Sequence, residues 1–388
     1  MRIGFFTDLY LPLVCGAQTA IDSFRKGLEQ MGHEVFVYAP YTPGYKDART
    51  RVFRLKSIRV IKKPEIRLAL PSVQEGNLRD LMSFQLDIVH AESPFSLGIL
   101  GKIISKRQHI PIVYRHNTNW QELAKCYLLK EQVIFPRLAR FFSAWFSNIS
   151  NAIIAPSHKI ETLLHSYGIK RPIYILPTGI DLGAFDRSKG SAIPALGLRE
   201  RYQISPGMKL LLFVGRMSKE KNIDFLIEAF SEISRTRNDI AFMLVGDGPH
   251  LEGLQCLVRR KELERITFAG CIPHEELCAY YWAADLFLFA SLADTQGIVI
   301  LEAMASGLPI VALRDDAFEG MVVDNKNGFL VQEVSPVVFA RKVLEILDDG
   351  CLHKQFSDGS YELAREFSCE KQTRELLSIY EQLLTTRR

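Results

Sequence analysis

The chain has 388 residues, too many for one ordinary core, so two domains are the default expectation. With 47% hydrophobic and 24% charged residues it has the composition of a soluble globular protein, and no apolar window reaches transmembrane length. The net charge of +4 hides an asymmetry: residues 1–186 hold 24 Lys and Arg against 15 Asp and Glu, about +9, while the rest hold 24 against 29, about −5.

The opening MRIGFFTDLY reads directly as a strand and has no signal-peptide pattern. Seven scattered cysteines show neither a CxxC pair nor metal-ligand spacing, which predicts reduced thiols in a cytoplasmic protein. Apolar runs at 3–6, 34–39, 87–92, 111–115, 152–156 and 173–177 predict strands, with helical stretches between them at 17–31, 96–107 and 157–167. Segment 49–71 carries eight cations between Arg49 and Arg67, among them Arg54, Lys56, Arg59, Lys62, Lys63 and Arg67, with Glu65 the only acid. Segment 133–148 crowds Phe135, Leu138, Phe141, Phe142, Trp145 and Phe146 into a helix-like span. Basic and aromatic surface together suit anionic lipid head groups; a solvated basic edge beside a core helix is the alternative. No nucleic-acid-binding motif accompanies the charge.

Residues 183–206 are rich in Gly, Ser, Pro and charge, as linkers are. A second set of strands follows at 209–216, 241–246, 266–270, 286–290, 309–313 and 328–331. After Lys221, Ile223, Leu226, Ile227, Phe230 and Ile233 form one helical stripe. Segment 369–386 reads as a helix beyond the second sheet. The alternation predicts an α/β protein of two doubly wound parallel-sheet domains, 1–186 and 187–368, facing a central cleft. In such sheets ligands bind beyond the carboxyl ends of the strands.

The candidate residues follow strands. In FASLADTQGIVILEAMASGLPIVAL (289–313) an apolar run ends in a loop holding Asp294, Thr295, Gln296 and Gly297. A helix then opens near Ile298 and carries Glu302, eight positions after Asp294. A glycine permits close backbone approach, and a helix start offers unpaired N–H groups to an anion. The pattern suits a nucleotide sugar, with phosphate on the helix dipole and carboxylates on ribose and sugar. GRMSKEKN (215–222) places Gly215, Arg216 and Lys221 around another helix start, a candidate diphosphate clamp or a pair of solvated cations. Gly16, in the turn 12–20, could bring backbone N–H groups to a phosphate or only make a turn. His116 and Asn117 follow a strand; the histidine could bind a sugar hydroxyl, handle a proton or be structural. No HExxH, GxSxG, Walker or DxD pattern is present, so no metal or cofactor is expected.

Together these residues resemble the retaining GT-B glycosyltransferases of family 4 (glycosyl transferases group 1). GRMSKEKN resembles the Gly-Arg…Lys element, and SLADTQGIVILEAMASGLPIVA the carboxylate–seven–carboxylate signature. FTDLYLPLVCGAQTAI, IRLALP, DIVHAESPFSLG and YILPTGIDLGAF look most like bacterial diacylglycerol glucosyltransferases. The resemblance implies two Rossmann-like domains, with the acceptor on the first and the nucleotide sugar on the second, and a C-terminal helix (369–386) that returns to the first domain. It implies that Arg216 and Lys221 hold the diphosphate and Glu302 the ribose. Asp294 to Gly297, with Ile298, would hold sugar and phosphate, Gly16 would lie near the diphosphate, and Ile272, in the Gly270–Pro273 turn, by the base. Three positions depart from the pattern: Asp294 stands where the signature opens with Glu, Asn117 where relatives carry His, and Cys15 where Asn is usual.

The function expected is metal-independent, retaining transfer of a hexose, with glucose the leading candidate, from a UDP-sugar to a lipid hydroxyl such as diacylglycerol. The enzyme would be cytoplasmic and peripheral on an anionic membrane, with no nucleic-acid partner. A soluble sugar or inositol phosphate acceptor is one alternative. A catalytically degenerate nucleotide-sugar-binding regulator is another, and a nonhydrolysing epimerase a third.

Overall fold

The computed structural model describes residues 1–13, 16–60, 63–70, 84–118, 134–186, 192–291 and 293–386, with backbone alone at 63–66, 134–136 and 192–196. The chain divides into two compact units, Met1–Gly179 with Cys369–Arg388, and Ile180–Ser368. The division falls a few residues before the expected 186 because Ile180 and Phe185 are buried in the core of the second unit.

The first unit is built on β1 (Arg2–Phe6), β2 (Glu34–Pro40), β3 (Val52–Leu55), β4 (Ser57–Val60), β5 (Lys63–Ala69), β6 (Ile88–Ala91), β7 (Ile112–Arg115), β8 (Ala152–Ala155) and β9 (Ile173–Ile175). Seven of these form one parallel sheet in the order β3-β2-β1-β6-β7-β8-β9, while β4 and β5 pair antiparallel on their own. Successive side chains alternate between faces, so a sheet covered on both sides needs apolar residues at every position. Phe5, Val35, Val37, Val113 and Ile154 join one cluster, with Ile21, Phe24 and Leu28 of helix Gly16–Gln30 and Leu376, Ile379 and Tyr380 of helix Cys369–Thr385. Their neighbours Phe6, Phe36, Tyr38 and Tyr114 join the opposite one, with Leu97, Leu100 and Ile104 of helix Ser96–Arg107 and Phe146 of helix Ile134–Ile149. The C-terminal helix lies against Gly16–Gln30, where a Cβ added at Gly27 would fall 2.2 Å from Thr373 Oγ1.

The second unit holds β10 (Lys209–Val214), β11 (Ile240–Val245), β12 (Ile266–Gly270), β13 (Leu286–Phe289), β14 (Ile310–Leu313) and β15 (Gly328–Val331), all parallel in the order β12-β11-β10-β13-β14-β15. The stripe Ile223, Leu226, Ile227, Phe230 and Ile233 is buried in helix Ile223–Ser234. In both sheets the strand order reverses beside the first strand, between β1 and β6 and between β10 and β13. Ligands of open α/β sheets bind beyond the strands at such a reversal.

Both sheets are thus the ones the apolar runs predict. The exceptions are β3, β4 and β5, which fall within the basic segment 49–71.

Candidate functional site

In the second unit the reversal brings two loops together. After β10 the chain passes Gly215 and an exposed Arg216 into a short 3₁₀ turn, Lys219–Lys221. After β13 it runs through Asp294, Thr295, Gln296 and Gly297 into helix Ile298–Ala305. Cross-bonds lock the loops: Ser291 Oγ donates to the Glu220 carbonyl at 3.3 Å and Asn222 Nδ2 to that of Ala290 at 3.4 Å. The Lys221 ammonium then meets both oxygens of Asp294, at 2.7 and 2.9 Å. The pair is part-buried, with side chains 21% and 16% exposed, and the ammonium also sits 5.8 Å from the ring centre of Phe289.

Gly297 caps the helix in the left-handed region, at φ 77°, and a Cβ there would fall 2.9 Å from Phe318 Cε1. Only glycine meets both conditions without strain. Thr295 and Ile298 are half-buried and Gln296 is buried. Helical spacing carries Glu302 inward, to 3% exposure. Its Oε1 meets His274 Nε2 at 3.1 Å and its Oε2 accepts from the Tyr281 hydroxyl at 2.7 Å. The bond to Glu302 holds the His274 pKa above its ordinary value against the opposing effect of burial. Burial, with the Glu302 charge, pushes the Tyr281 phenol far up, so it remains a donor. Ile272 is half-buried and shares the 270–273 turn that leads into His274.

Sequence reasoning missed His274 and Tyr281. A signal was present: His274 follows directly on the Gly270–Pro273 turn expected to hold the base, and Tyr281 lies within the aromatic run Tyr280–Trp282.

In the first unit the reversal joins Asp8, after β1, to the start of helix Ser96–Arg107. Asp8 accepts from Ser93 Oγ at 2.5 Å, Ser96 Oγ at 2.6 Å and the Leu97 N–H at 3.4 Å, and burial raises its pKa. Gly16 is exposed at the first residue of its helix, and Cys15 lies outside the described residues.

His116 and Asn117 part company. Period-2 alternation continues past β7, so His116 shares the face of Tyr114, and its Nδ1 lies 3.2 Å from the Tyr114 hydroxyl and 3.3 Å from Ser143 Oγ. It is 1% exposed, and burial lowers its pKa to about 4. Of the three readings open for His116, this placement favours the structural one, a neutral histidine in the core. Asn117 shares the face of Arg115, accepting from Arg115 Nε at 2.6 Å and donating to Glu92 Oε2. Arg115 also bonds Thr178 Oγ1 at 2.8 Å and stacks over Phe24, and complete burial lowers its pKa to about 10. His90, 3.3 Å from Glu92, joins the network to Tyr380 of the C-terminal helix at 2.5 Å.

The basic segment divides between engaged and exposed cations. Arg54 forks onto Asp47, at 2.9 and 2.6 Å, and donates to the Pro40 carbonyl; Arg67 donates to the Tyr41 carbonyl at 2.8 Å and to Ser57 Oγ at 2.7 Å. Both brace the sheet edge and the β4–β5 pair and do not form a free basic face. Lys56 and Arg59 are exposed, the Lys63 side chain is not described, and Lys62 lies outside the described residues. Leu138, Phe141, Phe142 and Trp145 do stand out from helix Ile134–Ile149, Phe141 being 66% exposed. Among the described residues no helix is long and apolar enough to cross a membrane, and no group of three or more His, Cys, Asp or Glu could hold a metal ion.

Residues 197–363 match the family model for glycosyl transferases group 1, and residues 14–184 match that for glycosyltransferase family 4. The alpha-monoglucosyldiacylglycerol synthase of Acholeplasma laidlawii is 31% identical over 95% of this chain and 96% of its own. The chain belongs to this glycosyltransferase family. A second alpha-monoglucosyldiacylglycerol synthase, from Streptococcus pneumoniae, is 32% identical over 85% of this chain and 75% of that protein. HepE of Anabaena, solved in complex with UDP and glucose, superposes with a TM-score of 0.80 at 18% identity, covering 98% of this chain and 100% of that one. This likeness shows the fold, GT-B, with its two Rossmann-like units.

Proposed function

We propose that this glycosyltransferase moves a hexose, with glucose the leading candidate, from a UDP-sugar to a lipid hydroxyl such as that of diacylglycerol, at a membrane surface and with retention at the anomeric carbon. One observation carries the reading: Lys221, paired with Asp294, stands at the strand reversal beside a helix start, and that helix holds Glu302. Cations, an anion-attracting helix end and a carboxylate there match the charge order of a nucleotide sugar. The lipid acceptor is supported by the names of two relatives above 30% identity, both monoglucosyldiacylglycerol synthases.

In this reading Arg216 and Lys221 neutralise the departing nucleotide diphosphate, so the reaction survives chelation of divalent metals. Donor binding gives Lys221 a phosphate partner and turns Asp294 toward the sugar. Glu302 is buried on His274 and Tyr281, so it does not serve as a covalent nucleophile, and Asp294 in this reading orients the sugar. The leaving phosphate takes the acceptor proton on the same face as an oxocarbenium-like centre forms. Asn117, braced by Arg115 and Glu92, is the first-unit candidate for contact with the sugar.

The test is a screen of nucleotide sugars against mixed lipid acceptors, read by mass spectrometry with and without EDTA. A hexosyl lipid formed from UDP-glucose under both conditions supports the reading. Transfer only to soluble acceptors favours the alternative, which the internal engagement of Arg54 and Arg67 also favours.

A further inference from the structure

Neither oxygen of Glu302 is idle. His274 holds one and Tyr281 the other, from different elements: His274 opens the 3₁₀ turn His274–Glu276, and Tyr281 lies in helix Leu277–Ala283. The ring of Phe185 stands edge-on to both, at 5.9 Å from His274 and 5.7 Å from Tyr281. Two donors on two oxygens fix the plane of a carboxylate as well as its position. An ionised carboxylate has about four acceptor sites, so each oxygen keeps one. A vicinal diol supplies two O–H donors at a spacing that suits one to each oxygen.

We propose that His274 and Tyr281 are positioning residues that hold Glu302 as a two-oxygen acceptor for a vicinal diol, making the site selective for ribonucleotides over deoxyribonucleotides. This rests on the reading of Glu302 as the ribose ligand. It extends that reading to two residues that act through Glu302, and it predicts a selectivity the site would lack if they served stability alone. A site whose buried acceptor expects a hydroxyl rejects the analogue that lacks it.

The test is calorimetric titration of the full chain with UDP and with 2′-deoxy-UDP, for the wild type, His274→Ala, His274→Gln and Tyr281→Phe. The His274 side chain is 46% exposed, so its removal leaves the core in place even if Tyr281→Phe impairs folding. The wild type should prefer UDP by about tenfold or more, the scale of one hydrogen bond to a charged group. His274→Ala and Tyr281→Phe should bring that ratio down to about threefold or less, and His274→Gln, which keeps an N–H donor, should restore it. Wild-type preference undiminished in His274→Ala would overturn the inference and leave the nucleotide-sugar reading standing. A wild type that binds neither nucleotide would sink both.

Discussion

Lys221 shows how a residue read as a clamp is held before its ligand arrives. Its charge is balanced by Asp294 at 2.7 Å, and at about one-fifth exposure the pair contributes on the order of 1 kcal/mol to stability. The role proposed for it in stabilising a leaving group is larger. Lys221→Ala should raise the transfer barrier by about 2–4 kcal/mol, while the melting temperature moves by only a few degrees. Steady-state kinetics beside thermal unfolding checks both. His116 makes the opposite case, a histidine that could be functional or structural by sequence and is buried in the core. Its folded pKa of about 4 lies below the unfolded value of about 6.5, so the unfolded chain binds the extra proton. Its contribution is therefore complete above pH 6.5 and is lost as the pH falls toward 4, by about 2 kcal/mol between pH 7.5 and 5. Denaturant melts at the two pH values should show that slope in the wild type and lose it in His116→Gln. Asp294 and Glu302 were legible because their spacing is local. The placement of His116 was not, because alternation past the end of a strand decides it and the sequence does not mark where the strand stops.

Among elements, the helix Ile298–Ala305 and the loop before it are set by one glycine. Gly297→Ala meets a left-handed backbone and the ring of Phe318 at once. It should cost about 1–3 kcal/mol in stability and weaken UDP binding, measured by denaturant titration and calorimetry. The C-terminal helix depends on close approach to its neighbour in the same way. Gly27→Ala should destabilise the first unit by about 1–3 kcal/mol, and Thr373→Ala in the same chain should recover part of that, since Thr373 Oγ1 and Cγ2 make two of its three close contacts. Twelve strands could be read from apolar runs because both faces of each parallel sheet are covered. The strands β3, β4 and β5 could not. Arg54, Arg59, Lys63 and Arg67 interrupt their hydrophobic pattern, and the partners that absorb two of those charges, Asp47 and the carbonyls of Pro40 and Tyr41, are not marked as partners in the sequence. A cation count over a segment measures charge and says nothing of how many charges reach solvent.

At the scale of the molecule the proposed lipid acceptor requires a surface that finds membranes. With Arg54 and Arg67 engaged internally, the surface proposed for that role is helix Ile134–Ile149, where Leu138, Phe141 and Trp145 are 48%, 66% and 40% exposed beside Arg137 and Arg140. Phe141→Ser with Trp145→Ser should lower flotation with anionic vesicles severalfold and leave UDP binding unchanged; each large apolar side chain that enters the interface contributes about 1.5–3 kcal/mol if fully buried. Raised salt should weaken wild-type flotation, since part of the attraction is between exposed charges. The central claim is transfer with retention from a UDP-sugar, on cations and a helix start. It is tested most directly by incubating the chain with UDP-glucose and diacylglycerol vesicles and reading the anomeric proton of the product by NMR. The account predicts an α-glucosyl lipid whose formation depends on Lys221. A β-linked product, or wild-type yield from Lys221→Ala, would contradict it.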